Sequence, residues 1–97
     1  MVIITKKKLY DFAAIHSGTE DAIDNWYRET KKSDWTNLQD VKETFNSVDY
    51  VGNNRYVFNI KGNRYRLVAL IHFNRRTLYI RFIGTHSEYD DIDCATI

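Results

Sequence analysis

Residues 55–85 read RYVFNIKGNRYRLVALIHFNRRTLYIRFIGT, with apolar side chains recurring at nearly every second position. A period of two is that of a strand whose successive side chains point to opposite faces. Gly62-Asn63 and Asn74-Arg75-Arg76 break the pattern with turn residues, and Gly52-Asn53-Asn54 precedes it. The reading is three strands over residues 55–61, 64–73 and 77–85, joined as an antiparallel meander.

If Gly62-Asn63 is a two-residue hairpin turn, Lys61 pairs with Arg64, Asn59 with Arg66 and Val57 with Val68. Tyr56, Phe58, Ile60, Tyr65, Leu67, Ala69 and Ile71 then share the opposite face, which Leu78, Ile80 and Phe82 continue if Phe73 pairs with Leu78. Arg55, Lys61, Arg64, Arg66 and Arg81 fall together on the other side, with Tyr79. A lysine opposite an arginine is a like-charge pair that costs stability, and such local inconsistency marks function more often than mere solvation.

Upstream, Val2, Ile3 and Ile4 read as a short strand, and residues 6–16 place Leu9, Phe12, Ala13 and His16 on one side at helical spacing. Thr19 reads as the N-cap of a second helix, with Glu20, Asp21 and Asp24 near its positive end and Lys31 and Lys32 near its negative end. Leu38, Val41 and Phe45 give a shorter third helix over residues 37–45. The expected fold is α+β, an antiparallel meander with two to three N-terminal helices on one face.

A length of 97 residues allows one domain, 1–97, with a thin core. The single cysteine, Cys94, excludes an internal disulfide, and no clustered Cys or His ligands suggest zinc. The opening MVIITKKK stops its apolar run at three lysines, so neither a signal segment nor a membrane span is expected, and the cytoplasm is the default location. The net charge of +1 conceals a strong asymmetry: residues 49–87 carry seven cations against one acid, whereas residues 88–97 carry four acids and no cation. Clustered positive charge raises the local potential for phosphates, so the natural partner is a nucleic acid; the bland alternative is a solvated surface offset by the acidic tail.

A sheet face with cations and tyrosines can hold an RNA backbone and stack a base. Lys61-Gly62 opens like an RNA-recognition motif, but Asn63, Arg64 and Tyr65 break that motif's aromatic pattern. Of the three histidines, His16 reads as a helix C-terminal partner and His72 as a strand-end residue. His86 follows the last strand and precedes Tyr89 by three residues. Strict alternation puts it on the core side, so a place beside Arg66 requires a bend after Gly84. A basic face with an imidazole suits RNA cleavage by 2′-hydroxyl attack: one group takes a proton, another gives one, and cations stabilise the charge on phosphorus. No metal or cofactor is needed, and the carboxylates a metal-dependent nuclease requires are absent from Tyr50 to Ser87.

Three stretches, WYRETKKSDW (26–35), VGNNRYVFNIKGNRYRLV (51–68) and YIRFIGTHSEYDDID (79–93), resemble the HigB-type toxins of bacterial type II toxin–antitoxin pairs, within the RelE-like mRNA interferases. The resemblance implies a RelE-like microbial ribonuclease fold and metal-independent, ribosome-dependent endonuclease cleavage of A-site mRNA that inhibits translation. It also implies a cognate HigA-type helix-turn-helix antitoxin, through which alone operator DNA is bound. By resemblance, Arg66 is the phosphate-stabilising arginine, Lys61 a basic residue of the preceding strand, His86 the proton-transfer residue and Tyr89 the tyrosine near the scissile nucleotide. Arg64, Arg81, Arg55 and Asn59 complete the expected RNA contacts. Asn59 stands where some relatives carry a lysine, which leaves the general base open, and Asp90 is placed to orient His86. A second reading keeps the same face as a non-catalytic RNA- or ribosome-binding module, and a third makes the chain only a partner for an antitoxin.

Overall fold

A computed structural model describes residues 1–97. The chain runs β1 (Val2–Ile4), α1 (Lys7–Ile15), α2 (Glu20–Lys32), α3 (Leu38–Thr44), β2 (Val48–Gly52), β3 (Arg55–Ile60), β4 (Tyr65–His72), β5 (Thr77–Thr85) and α4 (His86–Asp90), with a short 3-10 turn at Phe73–Arg75. The sheet order is β1-β5-β4-β3-β2. The expected meander is present from β2 to β5, but β1 adds a parallel strand beside β5, making the sheet mixed.

Helices α1 to α3 fall where helical spacing puts them. Leu9, Phe12 and Ala13 are buried from α1, Ile23, Trp26 and Thr30 from α2, and Val41 from α3. Asn37 caps α3, its side-chain oxygen accepting the Asp40 N–H at 3.0 Å. Thr19 precedes α2 as expected, yet its hydroxyl donates back to the His16 carbonyl at 2.7 Å and caps nothing. The helices cover the sheet face formed by Tyr56, Phe58, Ile60, Leu67, Ala69, Ile71, Leu78 and Ile80, all buried in one core cluster. Trp26, Trp35, Phe45 and Phe58 pack at its centre with ring centroids 5.4–6.4 Å apart. Such pairs add about 0.5–1.5 kcal/mol each beyond their buried area.

Two features correct the sequence reading. The β3–β4 register is the expected one, with Asn59 opposite Arg66 and Val57 opposite Val68, but the ladder closes at Ile60 and Tyr65. Lys61 to Arg64 form the turn itself, closed by the Arg64 N–H donating to the Lys61 carbonyl at 3.3 Å; with Lys61 and Gly62 both at positive φ (54° and 66°), the two residues flank the turn outside the regular ladder. In β5, Ile80 lies opposite Ala69 and Phe82 opposite Val68, leaving Arg81 as the extra residue of a bulge. The bulge reverses the alternation. Phe82 therefore leaves the helix face on which it was expected, and Ile83 packs against the core instead.

Candidate active site

The reversal at Arg81 decides where the end of β5 points. Gly84 falls opposite Arg66 on the face away from the helices, in a row that Asn59 continues on β3. A Cβ on Gly84 would lie 2.6 Å from Phe82 Cζ and 3.0 Å from Glu88 Oε1, so a side chain there would have to displace the Phe82 ring. The next residue, Thr85, starts α4 through a reciprocal cap: its hydroxyl accepts the Glu88 N–H at 3.2 Å, and Glu88 accepts the Thr85 N–H at 2.8 Å. This Thr85-x-x-Glu88 signature is visible in the sequence, but the helix it starts was not anticipated. These bonds to Thr85 hold the Glu88 carboxyl below its ordinary pKa.

Helix α4 returns Tyr89 to the sheet, where the Arg66 guanidinium sits 4.7 Å from the centre of its ring. The Tyr89 hydroxyl donates to Cys94 Sγ at 3.3 Å, and burial, followed by this contact, raises the phenol above its usual pKa. His86 is half-buried at the first position of α4. Two enclosed nitrogens at this end of the sheet have no hydrogen-bond partner, Arg66 Nε and His86 Nε2. Buried polar groups are ordinarily paired, so these two, like Trp26 Nε1 and Thr30 Oγ1 in the core, leave a donor or acceptor unsatisfied in the free protein. No hydrogen bond joins Asp90, which is exposed, to His86; the expected orienting role is not realised.

The remaining cations do not gather on one surface as expected. Lys61 is turned by its left-handed backbone to the helix side of the sheet end, where its ammonium lies 3.0 Å from the position a Cβ on Gly18 would take. Arg64 is exposed in the turn one step from Arg66, and Arg81 is exposed at the bulge. Asn59 shares the Arg66 row but donates its amide to Ser47 Oγ at 2.8 Å. Arg55 is engaged elsewhere: it donates to the Ile97 carbonyl from Nε at 3.0 Å and from Nη2 at 2.6 Å.

That engagement shows what the acidic tail does. Asn53 also donates to the Ala95 carbonyl, at 2.9 Å, so residues 91–97 run from α4 across to the start of β3. Val57 and Val68 point away from the helices, yet are only 3% and 0% exposed and belong to no part of the main core cluster. Phe82, opposite Val68, and the returning tail, with Ile92, Cys94, Ala95 and Ile97 half-buried, are the parts of the chain on that side able to cover them. The face expected to be open thus has a covered half along β3 and, at the other end, a half-buried Arg66 beside a buried Gly84.

A mixed sheet closed by helices on one face, with an arginine stacked on a tyrosine at one end of the other, defines a small single-sheet α+β protein. The comparisons make the class specific. Residues 19–92 match the family model of HigB toxins, described as the RelE-like toxic component of a toxin–antitoxin system, and the chain belongs to that family. It is 33% identical over 93 residues to the mRNA interferase toxin HigB of Escherichia coli K12, covering 93% of this chain and 88% of that protein. The mRNA interferase HigB of Shigella flexneri matches to the same extent. The mRNA interferase HigB of Escherichia coli O6:H1 is 28% identical over 94 residues, covering 95% of this chain and 91% of the relative.

Proposed function

We propose that this toxin is an mRNA endoribonuclease that inhibits translation, cutting messages in the ribosomal A site. The carrying observation is the half-buried Arg66, whose guanidinium is held against the Tyr89 ring at the strand end from which His86 follows. In the reaction the 2′-hydroxyl oxygen bonds to the adjacent phosphorus and its proton passes to a base. The bond to the 5′-oxygen breaks, and that oxygen takes a proton from an acid. The products are a 2′,3′-cyclic phosphate, which hydrolyses to a 3′-phosphate, and a 5′-hydroxyl end. Arg66 holds the non-bridging oxygens as negative charge grows on them, and Tyr89 fixes the plane of its guanidinium. His86 transfers one of the two protons. Arg64, exposed in the turn just before Arg66, and Arg81, exposed at the bulge of β5, meet the flanking phosphates, and Lys61 reaches a phosphate beyond the sheet end. Arg55 and Asn59, whose donors are already engaged, have structural roles in this scheme.

The partners follow from the family: a HigA-type helix-turn-helix antitoxin that neutralises the toxin and carries the complex to operator DNA. The proposed substrate, message under translation, places the action in the cytoplasm. The test is inducible expression with mapping of mRNA 5′ ends in wild type, Arg66→Ala and His86→Ala. Cuts inside translated codons that vanish in both variants support the scheme. Growth arrest that persists in His86→Ala without any cuts makes the chain a ribosome-binding module instead.

A further inference from the structure

The sheet has two outer strands, and they differ. β2 is bulged between Tyr50 and Gly52 and carries Asp49, two features that ordinarily discourage a further strand. β1 is regular, and no strand lies along its outer side. The Val2 N–H donates to the Arg76 carbonyl at 2.7 Å, so the alternate residue, Ile3, turns its N–H and C=O outward. Within β1 there is no charge, proline or bulge, and Val2 (59% exposed) and Ile4 (39%) present their side chains to solvent. Along this edge runs a groove of about 700 Å³ lined by β1, by Tyr27 and Lys31 of α2, and by Lys6 and Arg76. Arg76 is paired with Asp34, whereas Lys6 and Lys31 have no carboxylate partner.

We propose that the β1 edge is the docking surface of the cognate antitoxin, which lays an extended, acid-bearing segment beside β1. Its main chain bonds to Ile3, its apolar side chains cover Val2, Ile4 and Tyr27, and its carboxylates meet Lys6 and Lys31. The proposal rests on the family membership that makes an antitoxin the partner. The outward peptide groups and exposed aliphatic side chains fit a polypeptide; a nucleic acid would use the lysines alone. Gly84, which faces Arg66, is five residues along β5 from the residue beside Ile4, roughly 17 Å at strand rise, so the surface is separate from the cleavage site.

The test is hydrogen exchange on the purified toxin–antitoxin complex against free toxin, together with a Val2→Glu/Lys31→Glu double variant. Amides of residues 2–5 should slow in the complex while those of 48–52 do not. The double variant should still cut mRNA when expressed alone, yet bind antitoxin about tenfold or more weakly and escape neutralisation. Tyr50→Glu, on the opposite edge, should remain neutralised. Protection at residues 48–52 in place of 2–5, or escape by Tyr50→Glu in place of the double variant, overturns the proposal. So does loss of cleavage by the folded double variant without antitoxin, which assigns the groove to RNA. Exchange and affinity are read on the complex itself, so they judge the docking surface whether or not the chain cuts mRNA.

Discussion

The guanidinium of Arg66 lies 4.7 Å from the centre of the Tyr89 ring, which places the strand that supplies the cation under the helix that follows the sheet. The contact joins residues 23 positions apart in sequence and gives each a defined orientation. One face of the tyrosine ring is therefore taken by the arginine.

From this pairing, Arg66→Ala should lower mRNA cleavage by about a hundredfold or more, the size of effect expected when a donor to a charged transition state is removed. Arg66→Lys should recover little, because an ammonium offers neither the planar stack nor the two-point bond to phosphate. Tyr89→Phe should retain most activity and Tyr89→Ala should not. Initial rates of cleavage on translated message check all four, and a large loss in Tyr89→Phe would assign the hydroxyl a chemical role.

Gly84→Ala should destabilise the fold by about 1–3 kcal/mol and impair cleavage, because the added methyl meets the Phe82 ring and Glu88. Denaturant unfolding measures the first effect. Unchanged stability would mean that Phe82 swings aside at no cost.

Arg55→Ala should release the tail while leaving the Arg66 end of the face intact. The bonds to the Ile97 carbonyl are charge-assisted but partly exposed, so the loss should be about 1 kcal/mol. Amide exchange in residues 91–97 should speed up, with faster exchange at Val57 and Val68 as water reaches them. An Arg55→Ala protein with an unaltered tail but weaker RNA binding would return that residue to the phosphate contacts.

The cap of α4 gives a pH prediction. The Glu88 carboxyl is held below its ordinary value, so the folded state prefers it ionised. That contribution is fully present above about pH 4.3, the ordinary glutamate range, and fades as pH falls through the lower folded-state value. It is small, because the carboxylate is solvent-screened. Tyr89 is shifted upward, so its contribution holds below about pH 10 and is lost only as pH rises through the folded value. The Thr85–Glu88 cap, followed by NMR through the Glu88 amide, should therefore persist between these limits. Thr85→Ala should loosen α4 throughout that range at a cost of about 1 kcal/mol.

The strands from Arg55 onward were legible because one face is buried. With a side-chain period of two, a slip of one residue would expose the whole set from Tyr56 to Ile71, so composition fixes both the face and the register between Asn59 and Arg66. The candidate site was only half legible. Arg66 follows directly from that register, but the position of His86 depends on the bulge at Arg81, and nothing local in TLYIRFIGT distinguishes an inserted residue from regular alternation. Lys61 and Arg55 were placed correctly along the chain and wrongly in space, one because its backbone is left-handed, the other because a segment some forty residues away takes its donors.

The sequence alone determined which side chains are apolar, how often they recur and where turn residues interrupt them. Those properties act between near neighbours, so they settled the first three helices, the meander and the family. Tertiary structure decided which cations remain free, where the acidic tail lies and which way the end of β5 faces. These depend on hydrogen bonds and packing between segments distant in sequence, whose free energy exists only once the sheet has brought them together.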